Sequence, residues 1–178
     1  MNSRIPVFTS AGIHMEEYAF LQQFCKEKHI KSVLEFGPGT STLAFLDAGC
    51  DVVSIEENWK WFQVAQRTLM LPNCTLLLGA PPAIMDHPRI AASSFDLAFV
   101  DGPGAKGPLP RLHSMQAAMS RASIVILHDA NRAGEQATIT EVTKNGGWEV
   151  IKQKSRRGIG ILLRQSGAAV VHGERPSL

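Results

Sequence analysis

Short apolar runs alternate with longer amphipathic stretches along most of the chain. Between Ile13 and His29, the residues Met15, Tyr18, Ala19, Leu21, Phe24 and Cys25 recur at helical spacing, which predicts a helix packed beside the first strand. Ser32–Phe36 reads as that strand. Thr40–Ala48 reads as a helix closed by Gly49, since a glycine just past the last turn takes the left-handed conformation at little cost. The alternation then repeats. Asp51–Glu56 is a strand, Trp59–Leu71 a helix stopped before Pro72, and Cys74–Leu78 a strand broken by Gly79-Ala80-Pro81-Pro82. A weak helical segment falls between Ala83 and Ala91, followed by strand Phe95–Val100. Three glycines and three prolines between Gly102 and Pro110 mark a loop. Leu112–Ala122 reads as a helix, Ser123–Leu127 as a strand, and Ala133–Asn145 as a helix ended by Gly146-Gly147. Trp148–Lys154 and Ile159–Arg164 are two final strands, and the link Ser155–Gly158 is short enough for a hairpin. Residues 1–12 read as irregular and the tail after Ser166 as loosely ordered.

Strands alternating with helices imply an α/β fold, a mostly parallel sheet with helices on both faces. The closing hairpin adds one antiparallel strand. At 178 residues and 44% hydrophobic content the chain suffices for one core, so a single domain over residues 1–178 is expected, with its core at about 13–164. The net charge is 18 − 16 = +2, without a long cationic run, so nucleic acid is not the expected partner. Cys25, Cys50 and Cys74 are too few and too scattered for a disulfide framework or a zinc site, and free thiols in a reducing compartment are expected. The first residues lack a signal-peptide pattern, and no run approaches the ~20 apolar residues that span a bilayer. A soluble cytoplasmic protein without a membrane partner is the expectation; a homo-oligomer is compatible with the sequence.

Candidate chemistry gathers where strands end, because open α/β sheets bind ligands beyond the carboxyl ends of their strands. The residues there are Glu35, Glu56 or Glu57, Gly79, Asp101 and His128-Asp129. Gly37 and Gly39 follow the first strand and permit a tight turn with close backbone approach to a ligand. Glu56 lies 56 − 35 = 21 positions after Glu35, where an acid accepts bonds from two ribose hydroxyls. A dinucleotide site wants a third glycine, yet Thr40, Ser41 and Thr42 follow Gly39. The acid at Glu35 suits an ammonium or sulfonium better than a pyrophosphate. Four acids on one rim are costly unless cations or hydroxyls answer them.

Glu35-Phe36-Gly37-Pro38-Gly39 resembles the first motif of class I S-adenosylmethionine-dependent methyltransferases, and the resemblance extends over about Ile13 to Arg164. It implies a Rossmann-like three-layer sandwich with seven strands, the last inserted antiparallel. It also implies S-adenosyl-L-methionine as cofactor, with Glu35, Gly37, Gly39, Thr40, Ser41, Glu56, Gly79 and Asp101 as its contacts. An acid that such families often carry after the third strand is absent at Gly79-Ala80-Pro81, which leaves the adenine to backbone groups. Phe95–Pro103 and Ile124–Arg132 resemble small O-methyltransferases of the catechol and caffeoyl-coenzyme A type, and more loosely methyltransferases of sugars and polyketide-sugar antibiotics. Members of the first type hold a divalent cation on an aspartate after the fourth strand and an Asp-Asn pair after the fifth. Asp101 and Asp129 match the aspartates; Ala130 replaces the asparagine, and Asn131 comes one residue later.

Asp101, Asp129 and Asn131 are the ligands a Mg²⁺ ion would have, but with Ala130 in the asparagine's place a site without metal is the expectation; Asp101, His128 and Asp129 are the candidate catalytic groups. Without metal, Asp101 or His128 is the candidate base. The resemblance implies methyl transfer to a polar small-molecule or glycan acceptor at oxygen, against three alternatives: N-methyl transfer, a non-catalytic cofactor-binding subunit, or an NAD protein. Lys106, Arg111, Arg132 and the pair Arg156-Arg157 read chiefly as surface charges. Asp96 reads as structural, Trp59, Trp61 and Phe62 as core, and His14, Met15 and Glu17 as a cover for the methionine end of the cofactor.

Overall fold

A computed structural model describes residues 12–104 and 107–166; the expected irregular start, Lys106 and most of the tail lie outside the described residues. Seven strands form one sheet in the order β3-β2-β1-β4-β5-β7-β6. They are β1 (Ser32–Phe36), β2 (Asp51–Glu56), β3 (Cys74–Leu78), β4 (Leu97–Val100), β5 (Ile124–His128), β6 (Trp148–Gln153) and β7 (Ile159–Arg164). Strands β1 to β5 pair in parallel, and β7 runs antiparallel to both β5 and β6. The α-helices are α1 (Met15–Glu27), α2 (Thr40–Asp47), α3 (Trp59–Thr68), α4 (Pro88–Ala91), α5 (Leu112–Arg121) and α6 (Ala133–Thr143), with a 3-10 turn at Ala83–Asp86. This is the expected α/β Rossmann-like three-layer sandwich. Chain direction reverses in strand order beside β1, so a crevice opens between β1 and β4 at their carboxyl ends.

Side chains alternate along each strand and feed two cores. Leu34, Ala98, Val100, Val125 and Leu127 face Met115 and Ala118 of α5 and Ile139 of α6. Val33, Leu97, Phe99 and Ile126 face Leu21 and Cys25 of α1 and Ala44 and Phe45 of α2. The period of two extends this second set to Glu35, Asp101 and His128, so three polar residues emerge on the face covered by α1 and α2.

Asp96 is structural, as expected. Its Oδ2 accepts from the Lys31 and Ser32 amides at 2.8 and 2.9 Å and ties the entry of β4 to that of β1. Cys25, Cys50 and Cys74 are free thiols, the first two buried. Two expectations fail locally. Trp59 and Trp61 are more than half exposed, because Phe62, Ala65 and Leu69 supply the buried face of α3; Trp59 only stacks on Phe62. Strand β4 starts at Leu97 rather than Phe95, which makes a single bridge to Ala122. Among the described residues no helix is long and apolar enough to cross a membrane.

Candidate active site

The turn after β1 is braced from both sides. Gly37 has φ +93°, and a Cβ there would lie 2.8 Å from the Gly102 nitrogen. The Gly37 amide donates to Ile55 O, while Phe36 O accepts from the Asp101 and Gly102 amides at 2.9 and 2.8 Å. Gly37 is therefore demanded by the protein itself. Gly39 is not: a Cβ there would meet nothing within 4 Å. Its backbone is extended, and its amide donates to Thr42 Oγ1. The open space beside Gly39 is what a ligand pressed against this backbone requires. Thr40 and Ser41 open α2 directly behind it.

Glu35 is placed differently from the expected carboxylate open to a cationic ligand. It is fully buried and accepts from Ser41 Oγ, Thr42 Oγ1 and Ser54 Oγ at 2.6, 2.6 and 2.7 Å. Burial pushes its pKa up to about 7; the three hydroxyls hold it down against burial, and the nearby Asp101 charge adds to the rise. Glu35 thus fastens the first turn of α2, which carries the glycine turn, to the sheet.

A cleft runs along the carboxyl ends of β1 to β4, lined by Gly37, Glu56, Glu57, Gly79, Pro81 and Gly102 among others. Glu56 Oε1 accepts from the Asn58 amide at 2.7 Å, and Asn58 Oδ1 in turn caps α3. Burial raises the Glu56 pKa, against the Asn58 amide bond, which lowers it. Gly79 borders the cleft with its amide donating to Glu56 O. Glu57 is exposed at the rim.

Beyond Gly102 the cleft gives way to a cluster of opposed charges. His128, at the end of β5, has no exposed surface. Its Nδ1 lies 2.8 Å from Asp101 Oδ1 and its Nε2 3.2 Å from Glu17 Oε2. Burial alone would lower the His128 pKa, but the bonds to Asp101 and Glu17 prevail and raise it to about 9. Burial likewise works to raise the Glu17 pKa; His128, the His14 amide and Ser155 Oγ outweigh it and bring it down to about 2. His128 is therefore clasped between two carboxylates that favour its protonated form.

Asp129 takes φ +61° where β5 ends. Its Oδ2 accepts from Arg111 Nη2 at 3.2 Å and pairs with Arg132 Nη1 at 2.9 Å, while Oδ1 accepts from Arg157 Nη1 at 3.4 Å. Arg111 is 2% exposed. Its Nη2 also reaches Asp101 Oδ1 at 3.2 Å, its Nη1 donates to His128 O at 2.7 Å, and its Nε donates to Pro103 O at 3.2 Å. Buried Glu135 lies 3.8 Å from Arg111 Nε.

Several sequence expectations change here. Arg111 is not a surface charge but the hub of the cluster, and Arg157 is tied to Asp129. Asn131 does not join Asp101 and Asp129. It is exposed; its Nδ2 donates to Ser155 O at 3.4 Å, and its Oδ1 crowds the Gly158 backbone. Glu17 is buried against His128 rather than lying over the cleft, and Met15 is exposed. The rim acids are thus answered mostly by the chain's own hydroxyls and cations. One signal for Glu17 was available: it shares the i, i+4, i+8 stripe of α1 with Leu21 and Cys25, so a carboxylate sits on the apolar face.

No protein-family profile matches the sequence, and no curated protein matches it. Solved structures do match in fold. A Staphylococcus aureus protein assigned as a caffeoyl-CoA O-methyltransferase shares 14% identity over 86% of this chain and 85% of its own, with a TM-score of 0.71. An O-methyltransferase of tomaymycin synthesis from Streptomyces achromogenes, solved with S-adenosylmethionine, shares 14% identity over 92% and 93%, with a TM-score of 0.66. An O-methyltransferase from Bacillus cereus, solved with S-adenosylhomocysteine, shares 14% over 88% and 84%, with a TM-score of 0.68. The chain has the fold of the class I methyltransferases; at this identity the likeness is one of fold.

Proposed function

We propose that the protein transfers a methyl group from S-adenosylmethionine to an oxygen of a polar small molecule. The observation that carries this reading is the first-motif turn. Gly37 is required by the fold, a Cβ at Gly39 would meet nothing within 4 Å, and the cleft lined by Gly37, Glu56 and Gly102 lies at the sheet's switch point. The fold neighbours solved with S-adenosylmethionine or S-adenosylhomocysteine support the same cofactor.

Bound there, S-adenosylmethionine supplies an electrophilic methyl group on a sulfonium. In this reading Glu56 accepts bonds from the ribose hydroxyls, and the backbone at Gly79 and Pro81 borders the adenine. Gly37, Gly39, Thr40 and Ser41 supply the turn against which the methionine portion lies, and Glu35 positions that turn through its three hydroxyl partners. Asp101 stands at the mouth of the charged cluster. With 16% of its side chain exposed, it is more open than Asp129, Glu135 or Glu17. It is the carboxylate placed to accept the proton of an acceptor hydroxyl. His128 holds Asp101 in place rather than taking that proton itself. Asp129 acts as an anchor for Arg111, Arg132 and Arg157. Arg111 Nη2 already bridges Asp101 and Asp129, so the transfer is read as proceeding without a divalent ion. Most of the rate would then come from alignment of donor and acceptor.

Calorimetry with S-adenosylmethionine, S-adenosylhomocysteine, NAD and NADP tests the reading. Binding of S-adenosylhomocysteine in the micromolar range, roughly −8 kcal/mol, is expected. Tight NAD binding with no response to S-adenosylhomocysteine would refute it.

A further inference from the structure

We propose that Arg111 is the resident cation of the Asp101–Asp129 site, its guanidinium filling the place a divalent ion would need. Asp101, His128 and Asp129 bring donor atoms within 4.8 Å of one another, a spacing suited to a metal ion. Four observations argue that this spacing serves a guanidinium instead.

Arg111 Nη2 stands 3.2 Å from Asp101 Oδ1 and 3.2 Å from Asp129 Oδ2, bridging the two carboxylates. A magnesium ion needs oxygens at ~2.1 Å and a near-octahedral shell with its own waters, so it would compete for the same space. Nor is Arg111 free to swing aside. Its Nη1 and Nε are committed to the carbonyls of His128 and Pro103, and leaving would give up both bonds, the one to His128 in a buried place.

Charge points the same way. The carboxylates of Asp101, Asp129, Glu135 and Glu17 face the guanidiniums of Arg111, Arg132 and Arg157 and the His128 ring, four against four with that ring protonated. A divalent ion would leave this half-buried group with two uncompensated positive charges. The donor set is also short of an oxygen, because Asn131 is turned to the β6–β7 link at Ser155. The guanidinium holds the two carboxylates together through one nitrogen, Nη2, yet it offers no open coordination position to a substrate. The inference concerns the cation alone and holds whichever group the cleft transfers.

Manganese titration followed by electron paramagnetic resonance tests it, since bound and free Mn²⁺ differ in signal. The intact chain should leave the free-ion signal unchanged at millimolar Mn²⁺. Arg111→Met removes the cation and exposes Asp101, His128 and Asp129; it should gain Mn²⁺ binding. Adding Asp129→Asn should weaken that binding by at least about tenfold. A second measurement needs no variant: the Arg111 Nε–H resonance of the intact protein should keep its linewidth when Mn²⁺ is added. Paramagnetic broadening of that resonance, stoichiometric Mn²⁺ binding by the intact chain, or a folded Arg111→Met variant with no gain would each overturn the proposal.

Discussion

Glu17→Gln isolates the buried carboxylate that the fold brings to His128 from 111 residues away in sequence. The substitution keeps the size of the side chain and removes its charge. The rise of the His128 pKa from 6.5 to about 9 corresponds to roughly 3 kcal/mol of folding free energy at about 1.36 kcal/mol per pH unit. That stability is fully present below pH 6.5, where the unfolded histidine is also protonated, and is lost as pH rises through 9. The lowered pKa of Glu17 describes the same contact from the other side and is not added to it. Asp101, at 2.8 Å, is the stronger partner and Glu17, at 3.2 Å, the weaker. Losing the Glu17 carboxylate should therefore cost only part of this, on the order of 1–3 kcal/mol as for other hydrogen bonds to charged groups. Urea unfolding at a series of pH values reads it directly. The difference between the intact protein and Glu17→Gln should be on the order of 1–3 kcal/mol near pH 6 and shrink above pH 9, where His128 is neutral in both. The His128 ring resonances should titrate about one pH unit lower in the variant. A pH-independent difference, or a His128 that already titrates at its ordinary value in the intact protein, would refute the imidazolium clasp.

Other substitutions separate fold from binding. Gly37→Ala places a Cβ 2.8 Å from Gly102 N at φ +93° and should destabilise by at least about 2 kcal/mol in denaturant melts. A Cβ at Gly39 would meet nothing within 4 Å and the backbone there is extended, so Gly39→Val should melt near the parent temperature and yet lose S-adenosylhomocysteine binding by calorimetry. Normal binding by that variant would make the turn a mere connector. Glu56→Ala should weaken S-adenosylhomocysteine by about 1.5–3 kcal/mol, read by the same calorimetry. Once an acceptor is known, Asp101→Asn should cut turnover strongly while a chelator leaves the parent rate unchanged; a chelator-sensitive rate restored by Mg²⁺ would contradict the metal-free site.

The frame was legible in the chain because hydrophobic period and turn chemistry agree. Strands β1, β2, β3 and β7 begin and end where apolar runs meet Gly, Pro or charged residues. Strand β5 is displaced by one residue, since His128 continues its ladder opposite Ile159 although its side chain is polar. The strand-end acids were legible as positions but not as partners. Glu35 reads as a ligand acid until α2 folds back and brings Ser41 and Thr42 over it. Asp101 and Asp129 were legible as two acids at neighbouring strand ends, but not as partners of Arg111, which enters from the end of a loop with no periodicity to place it. Contacts of that kind join elements far apart in sequence, and local spacing carries no record of them. Trp59 and Trp61 show the opposite error: large apolar residues are not always core, and Phe62, Ala65 and Leu69 had already filled the inner face of α3.

Hydrogen exchange of the intact protein with and without S-adenosylhomocysteine tests most directly whether the cleft at the ends of β1 to β3 holds the cofactor. The account predicts protection at residues 36–41, at 56–58 and at 79–81, with little change along β6. Unchanged exchange at 36–41 in the presence of saturating S-adenosylhomocysteine would contradict it.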